Sequence, residues 1–294
     1  MEPIYCETYK EVKLLQQKRI RDYLREFALN GLSTLDLIRG TQKDLSRSRI
    51  QFLYVHHVFK DEEKKLELLL KRLALDHCFL SYSEAVTRIL EGEIDKPYIS
   101  ISSDDGFKNN LRAAEILNNY GAKACFFINP GIVGASDFVT VKGFCRDKLR
   151  FPPVEFLDWD DIHKLLNMGH EIGSHTMNHI NIAQSARELI KEECENSFQI
   201  LKSRCGDVKH FAFPYGRFFH FNEMGRKTVF ESGFSSCASA ERGCHVNPYG
   251  QISNQELCIL RDHVILSWNI NHIFYFLANN SRKASPKNNY FPYV

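Results

Sequence analysis

From residue 51 onward the chain alternates short apolar runs with longer amphipathic ones, and this rhythm constrains its fold more than any other feature. Segments 52–58, 98–102, 122–128, 171–174, 210–213, 234–238 and 257–266 read as strands. Segments 61–75, 109–120, 160–168 and 186–203 read as helices, the second stopped by Gly121. Strands that alternate with helices pair in parallel, so the chain predicts a β/α barrel or a doubly wound sheet. Its 294 residues suffice for one large barrel or about two smaller domains of roughly 150 residues.

Thirty-eight Lys and Arg against 36 Asp and Glu leave a net charge of +2, which gives no nucleic-acid footprint. No apolar run reaches the roughly 18 residues of a membrane span, and the first residues lack the pattern of a secretory signal. The nine cysteines are scattered, with no C-x-x-C pair, so neither a disulfide framework nor a zinc finger fits. Reduced thiols in a cytoplasmic protein are the expectation.

Three segments are divided by this reading: a helical extension over 1–50, the β/α unit over 51–278 and a C-terminal tail over 279–294. Ile20, Tyr23, Leu24 and Phe27 recur at helical spacing as one apolar stripe. With Asp22 and Glu26 diluting the nearby basic residues, the stripe is expected to pack on the protein itself. Residues 130–153, which contain three glycines, read as a long loop lining a groove. The polar tail is expected to fray.

Three short motifs each follow a strand. Ser102-Ser103-Asp104-Asp105-Gly106 sets two carboxylates side by side, and these diverge at a strand end, so one can hold a metal while the other handles a proton. His170-Glu171-Ile172-Gly173-Ser174-His175-Thr176-Met177-Asn178-His179 lacks the zincin spacing, because position 174 is serine. His175 and His179 lie four apart, so one helical turn would set both imidazoles on one side, whereas His170 reads as structural. Phe211-Ala212-Phe213-Pro214-Tyr215-Gly216 makes a rigid turn whose backbone N–H groups can bind an oxyanion. Each motif alone is also an ordinary surface turn or histidine pair. In a parallel barrel, however, all strand C-terminal ends open on one face, so the three converge.

The order of these motifs resembles the polysaccharide deacetylases (carbohydrate esterase family 4, the nodulation-protein-B homology domain), in the branch with Phe-Ala-x-Pro-Tyr-Gly. The stretch 113–128 and the Trp159-Asp160-Asp161-Ile162 context support the resemblance, which is strong over about residues 97–216. It implies a distorted (β/α) barrel and a hydrolase that removes N-acetyl groups from an amino sugar or glycan intermediate. It further implies Asp104 as general base, Asp105, His175 and His179 as ligands of a divalent metal, most simply Zn²⁺, and the Tyr215 N–H as an oxyanion donor. The arginine that braces the base in many members is replaced by Ala212, and Arg261 is a candidate substitute. His263, in Leu260-Arg261-Asp262-His263, is the nearest match to the family's acid, with His245 as an alternative. The substrate class expected is an N-acetylated sugar, small, nucleotide-linked, lipid-linked or oligomeric. A cyclic amide or ureide hydrolase of the same fold, or a non-catalytic carbohydrate binder, are the other readings.

Overall fold

Period-two alternation in the strands sorts their side chains into two layers. In the computed structural model, which describes residues 5–15 and 20–293, Ile50 and Phe52 of strand β1 (Arg49–Val55) point inward, whereas Leu53 and Val55 point to the helices. The other strands are β2 (Cys78–Leu80), β3 (Pro97–Ser103), β4 (Ala124–Ile128), β5 (Glu171–Ser174), β6 (His210–Ala212), β7 (Ser236–Ala238), β8 (Cys258–Ile259) and β9 (Arg261–His263). All pair in parallel, in the order β8-β7-β6-β5-β4-β3-β1-β9, with β2 beside the first half of β3. The two end strands, β8 and β9, are separated in sequence only by Leu260. Turning there carries the chain from one edge of the sheet to the other and nearly closes a (β/α) barrel, the expected fold.

The helices are α1 (Tyr9–Leu15), α2 (Ile20–Arg39), α3 (Thr41–Leu45), α4 (Glu63–Leu73), α5 (Tyr82–Glu91), α6 (Asn110–Asn119), α7 (Phe138–Phe144), α8 (Trp159–Asn167), α9 (Arg187–Cys205), α10 (Glu223–Glu231) and α11 (Ile270–Arg282). Leu66, Leu69, Leu70 and Leu73 of α4 bury one stripe against the sheet. A reciprocal Asp158–Asp161 capping box starts α8.

Several expectations are corrected. The single strand expected over 257–266 is broken at Leu260, because its two halves serve opposite edges of the barrel. β2 and α5 lie where no element was expected, although Ser81 caps α5 and Gly92 (φ 71°) ends it. Segment 130–153 is largely helical and not an open loop: α7 is followed by a π-turn over Cys145–Leu149. The tail does not fray. Asn279–Arg282 finish α11, Asn289 and Phe291 are buried, and Leu257 bridges to Tyr290.

The stripe on α2 does not pack as expected. Tyr23, Leu24 and Phe27 are 58%, 65% and 81% exposed, while Leu29, Ser33 and Asp36 are buried and α11 is the neighbouring helix. The Ile20 side chain lies outside the described residues. In contrast, α1 belongs to the barrel mouth. The Tyr9 and Lys10 N–H groups donate to Asp61 (2.8 and 3.2 Å), and Val12 is buried with Phe59, Phe107 and Phe156. Among the described residues, no helix is long and apolar enough to cross a membrane, and all nine cysteines are unpaired.

Candidate active site

Five strand ends converge on one cavity of about 650 Å³. His56 follows β1, Asp104 and Asp105 follow β3, His175 follows β5, Tyr215 lies three residues beyond β6, and His263 ends β9. The barrel thus gathers at one rim residues up to 207 positions apart in the chain.

Backbone strain concentrates at this rim. Of the five non-glycine residues at positive φ among those described, four line the cavity: Asp105 (74°), Arg150 (52°), His179 (54°) and Tyr215 (62°). Such conformations cost of order 1–3 kcal/mol each and persist where the surroundings enforce them, typically at functional sites. At Gly216 (φ 65°) a Cβ would lie 2.2 Å from that of Ala240, so only glycine lets the Pro-Tyr-Gly turn sit there.

His175 and His179 meet, but through a turn and not the helical turn expected. Thr176 and His179 both take left-handed backbone, and the rings come to 5.0 Å between centroids. The turn is held from outside: Asn129 Nδ2 donates to the His175 and Thr176 carbonyls, and Asn178 donates to Glu193 (2.7 Å). The His175 Nδ1–H donates to the Ala212 carbonyl (2.7 Å), which leaves the Nε2 lone pair free.

Asp105, His175 and His179 offer three ligand atoms within 4.8 Å of one another. Both Nε2 atoms lie 3.6 Å from Asp105 Oδ1, too far for hydrogen bonds. Ligands about 2.1 Å from a shared tetrahedral ion sit roughly 3.4 Å apart, so the spacing fits one cation. Asp105 Oδ1 is buried and has no hydrogen-bond partner. Burial, then the adjacent Asp104 charge, push the Asp105 carboxyl up, and burial pushes both imidazoles down, so the histidines are neutral, as metal ligands must be. A buried carboxylate beside two neutral imidazoles therefore fits a divalent ion.

Asp104 differs from its neighbour because it has a partner. Arg261, fully buried inside the barrel over the Tyr54 and Phe127 rings, grips it bidentately at 2.7 and 2.9 Å. Burial alone would raise the Asp104 pKa; the Arg261 charge, the nearby His175 and the Arg261 hydrogen bonds together outweigh it and hold the carboxyl at about 2. Arg261 thus fills the bracing place that Ala212 leaves open. It reaches Asp104 from β9, on the opposite side of β1 from β3.

His263 lines the cavity and stacks on Tyr54 (4.7 Å), and its Nε2 lies 3.1 Å from His56 Nδ1. His56 is the residue that sequence reading missed; its only signal was the consecutive His56-His57 at a strand end. Burial pushes His56 down to about 4 and His263 well below its usual range, so the two share one hydrogen bond as neutral rings. His245 is excluded as an acid. It is buried away from the cavity, with Nδ1 facing Asn289 (2.9 Å) and Nε2 accepting the Leu260 N–H (3.0 Å). His170 is structural, as expected, bonded to Ala124 and Ala114. The Tyr215 N–H has no acceptor among the described residues.

Comparison with known proteins agrees with this geometry. Residues 91–229 match the family model for polysaccharide deacetylase. Residues 91–229 are thus a polysaccharide deacetylase domain by sequence pattern. Among solved structures, the Streptococcus pyogenes deacetylase PplD in complex with acetate has 16% identity and a TM-score of 0.62, covering 78% of this chain and 98% of that one. IcaB from Ammonifex degensii has 17% identity and a TM-score of 0.60, covering 79% and 98%. The polysaccharide deacetylase BC0361 from Bacillus cereus has 15% identity and a TM-score of 0.60, covering 79% and 69%. At such identities these likenesses establish the deacetylase barrel fold. No curated protein sequence matches the chain.

Proposed function

We propose that the protein is a metal-dependent hydrolase that removes an N-acetyl group from an amino sugar. The observation that carries this reading is that two adjacent aspartates have different partners. Asp105 faces two neutral histidines, and Asp104 is fixed and ionised by Arg261. Asp105, His175 and His179 would hold the metal, and their borderline N/O set favours Zn²⁺. Bound there, a divalent ion supplies Lewis acidity, polarising the acetyl carbonyl and making water a nucleophile at neutral pH.

The chain's own residues do the rest. Asp104 accepts a proton from the attacking water, and the fork of Arg261 keeps its oxygens from swinging away. The Tyr215 N–H donates to the oxyanion that develops at the acetyl carbonyl oxygen. The C–N bond then breaks and acetate leaves as the departing amine is protonated; the proton that Asp104 took from water is the net source, relayed through the otherwise neutral His56–His263 pair. The nine unpaired cysteines support a reducing, cytoplasmic setting for this reaction.

Metal analysis of the purified protein, followed by acetate release from N-acetylated sugars, tests the proposal. Alanine at Asp105, His175 or His179 should each strip most of the metal and all measurable turnover; full occupancy in all three variants would refute the ligand set. Ring-opening of a cyclic amide without acetate, or sugar binding without turnover, would replace the reading.

The acid has its own expected signature. His263→Ala should lower turnover of the amide far more than that of an activated acetyl ester, whose leaving group needs no proton, with metal retained. Equal losses on both substrates would make His263 structural and transfer the test to His56.

A further inference from the structure

Two cations line this cavity without a close ion pair to a described residue, and nothing in the hydrolysis itself uses them. Lys148 and Arg150 belong to the π-turn and the residue that follows it. Neither forms an ion pair with a described residue, whereas neighbouring Arg146 is paired with Asp147 and Arg217, on the next turn, with Glu241. Asp104 and Asp105 are the only carboxylates among the residues lining the cavity. The first is matched by Arg261 and the second faces the candidate metal position, so neither cavity carboxylate pairs with the two rim cations.

The segment that carries these cations is fixed in place. Cys145 is buried in the cluster beneath it, the Phe151 N–H closes back on the Cys145 carbonyl (2.9 Å), and the Phe151 ring stacks on His57 (5.3 Å). On the cavity side the Tyr215 hydroxyl donates to the Lys148 carbonyl (3.4 Å), which ties the cationic turn to the turn that bears the oxyanion donor. Arg150 itself takes left-handed backbone, a strained conformation for a side chain of its size. An arginine fork and a lysine point charge lining one cavity suit the several oxygens of a phosphate ester better than a neutral hydroxyl.

We infer that Lys148 and Arg150 recognise a phosphate or diphosphate ester attached to the amino sugar, so that the substrate is an anionic glycosyl phosphate and not a neutral glycan. The inference rests on the deacetylase reading for the reaction but not for the binding. Only the amide C–N bond is cleaved, with water adding across it, and the phosphate ester passes through unchanged. A nucleotide or a lipid carrier would present the same anion.

The test uses the full, metal-loaded chain. KM and kcat for acetate release are measured with N-acetylglucosamine, its 1-phosphate, its uridine diphosphate ester, a short prenyl diphosphate ester and neutral chitotetraose. The phosphorylated substrates should show KM at least about tenfold below the neutral ones, an advantage that shrinks with added salt. The variant K148Q/R150Q should raise KM for the phosphorylated substrates about tenfold, against less than about threefold for the neutral sugar, with metal content unchanged. The uridine and prenyl arms then distinguish the carriers. Neutral chitotetraose binding as well as the phosphorylated sugars, or the variant shifting both classes equally, would overturn the inference. If no substrate releases acetate, calorimetric binding of the 1-phosphate against the free sugar decides separately. A preference lost in the variant upholds anion recognition and rejects deacetylation, and no preference rejects the inference.

Discussion

Asp104→Asn is expected to retain its metal and its fold and to lose about 10²- to 10⁴-fold in turnover. Asparagine has the size of aspartate, and its carbonyl oxygen can still accept one Arg261 N–H, but its NH₂ cannot accept the second and the buried guanidinium loses its counter-charge, so the variant should fold with reduced stability. It cannot take a proton from the attacking water. Because Asp105, and not Asp104, faces the two histidines, the ligand cluster keeps all its atoms. The comparison that matters is kcat alongside metal content on the same preparation. Near-normal turnover would end the assignment of Asp104 as base, and loss of metal would make it a ligand.

The second large effect is expected at Arg261, which acts through Asp104 as a positioning residue. Arg261→Met removes the cation from a fully buried pair and leaves the Asp104 carboxylate beside Asp105 with no arginine partner, a change that costs about 3–5 kcal/mol in stability. Its pH dependence has a definite sign. Asp104 is depressed to about 2 from an ordinary value of 3.8, so the pairing stabilises the fold fully above 3.8. That stabilisation is lost as pH falls from 3.8 through 2. Without the guanidinium the carboxyl pKa rises, so the acid limb of the kcat/KM profile should move to higher pH in the variant. Arg261→Lys should restore part of the stability but less of the rate, since an ammonium cannot hold both oxygens in one plane. An Arg261→Met enzyme with the parent profile and melting temperature would remove Arg261 from the site.

Features written within one short stretch of chain were legible before folding. Asp104 and Asp105 follow a strand, His175 and His179 follow another, and the Pro-Tyr-Gly turn follows a third; parallel pairing then brings all three to one face. The alternation of strands and helices, which predicts a barrel or a doubly wound sheet, is likewise a local pattern that burial on two layers enforces. Some local signals were present and passed over, such as the Ser81 cap and Gly92 stop of α5.

What the sequence could not supply depends on closure. The break at Leu260 exists because β8 and β9 serve opposite edges of the barrel, and only that closure carries Arg261 to Asp104, 157 positions away, and His263 to His56, 207 away. The exposed stripe on α2 and the buried tail were misread for a related reason. Periodicity identifies an apolar face, but which face meets a neighbour is decided by where α11 lies. The sequence by itself determined the parallel β/α class and set the proposed base and the candidate ligands at strand ends, because residues adjacent in the chain stay adjacent there. Only the tertiary structure decided the brace on the base, the histidine pair and the cationic rim, because each of these depends on contacts between segments far apart in the chain.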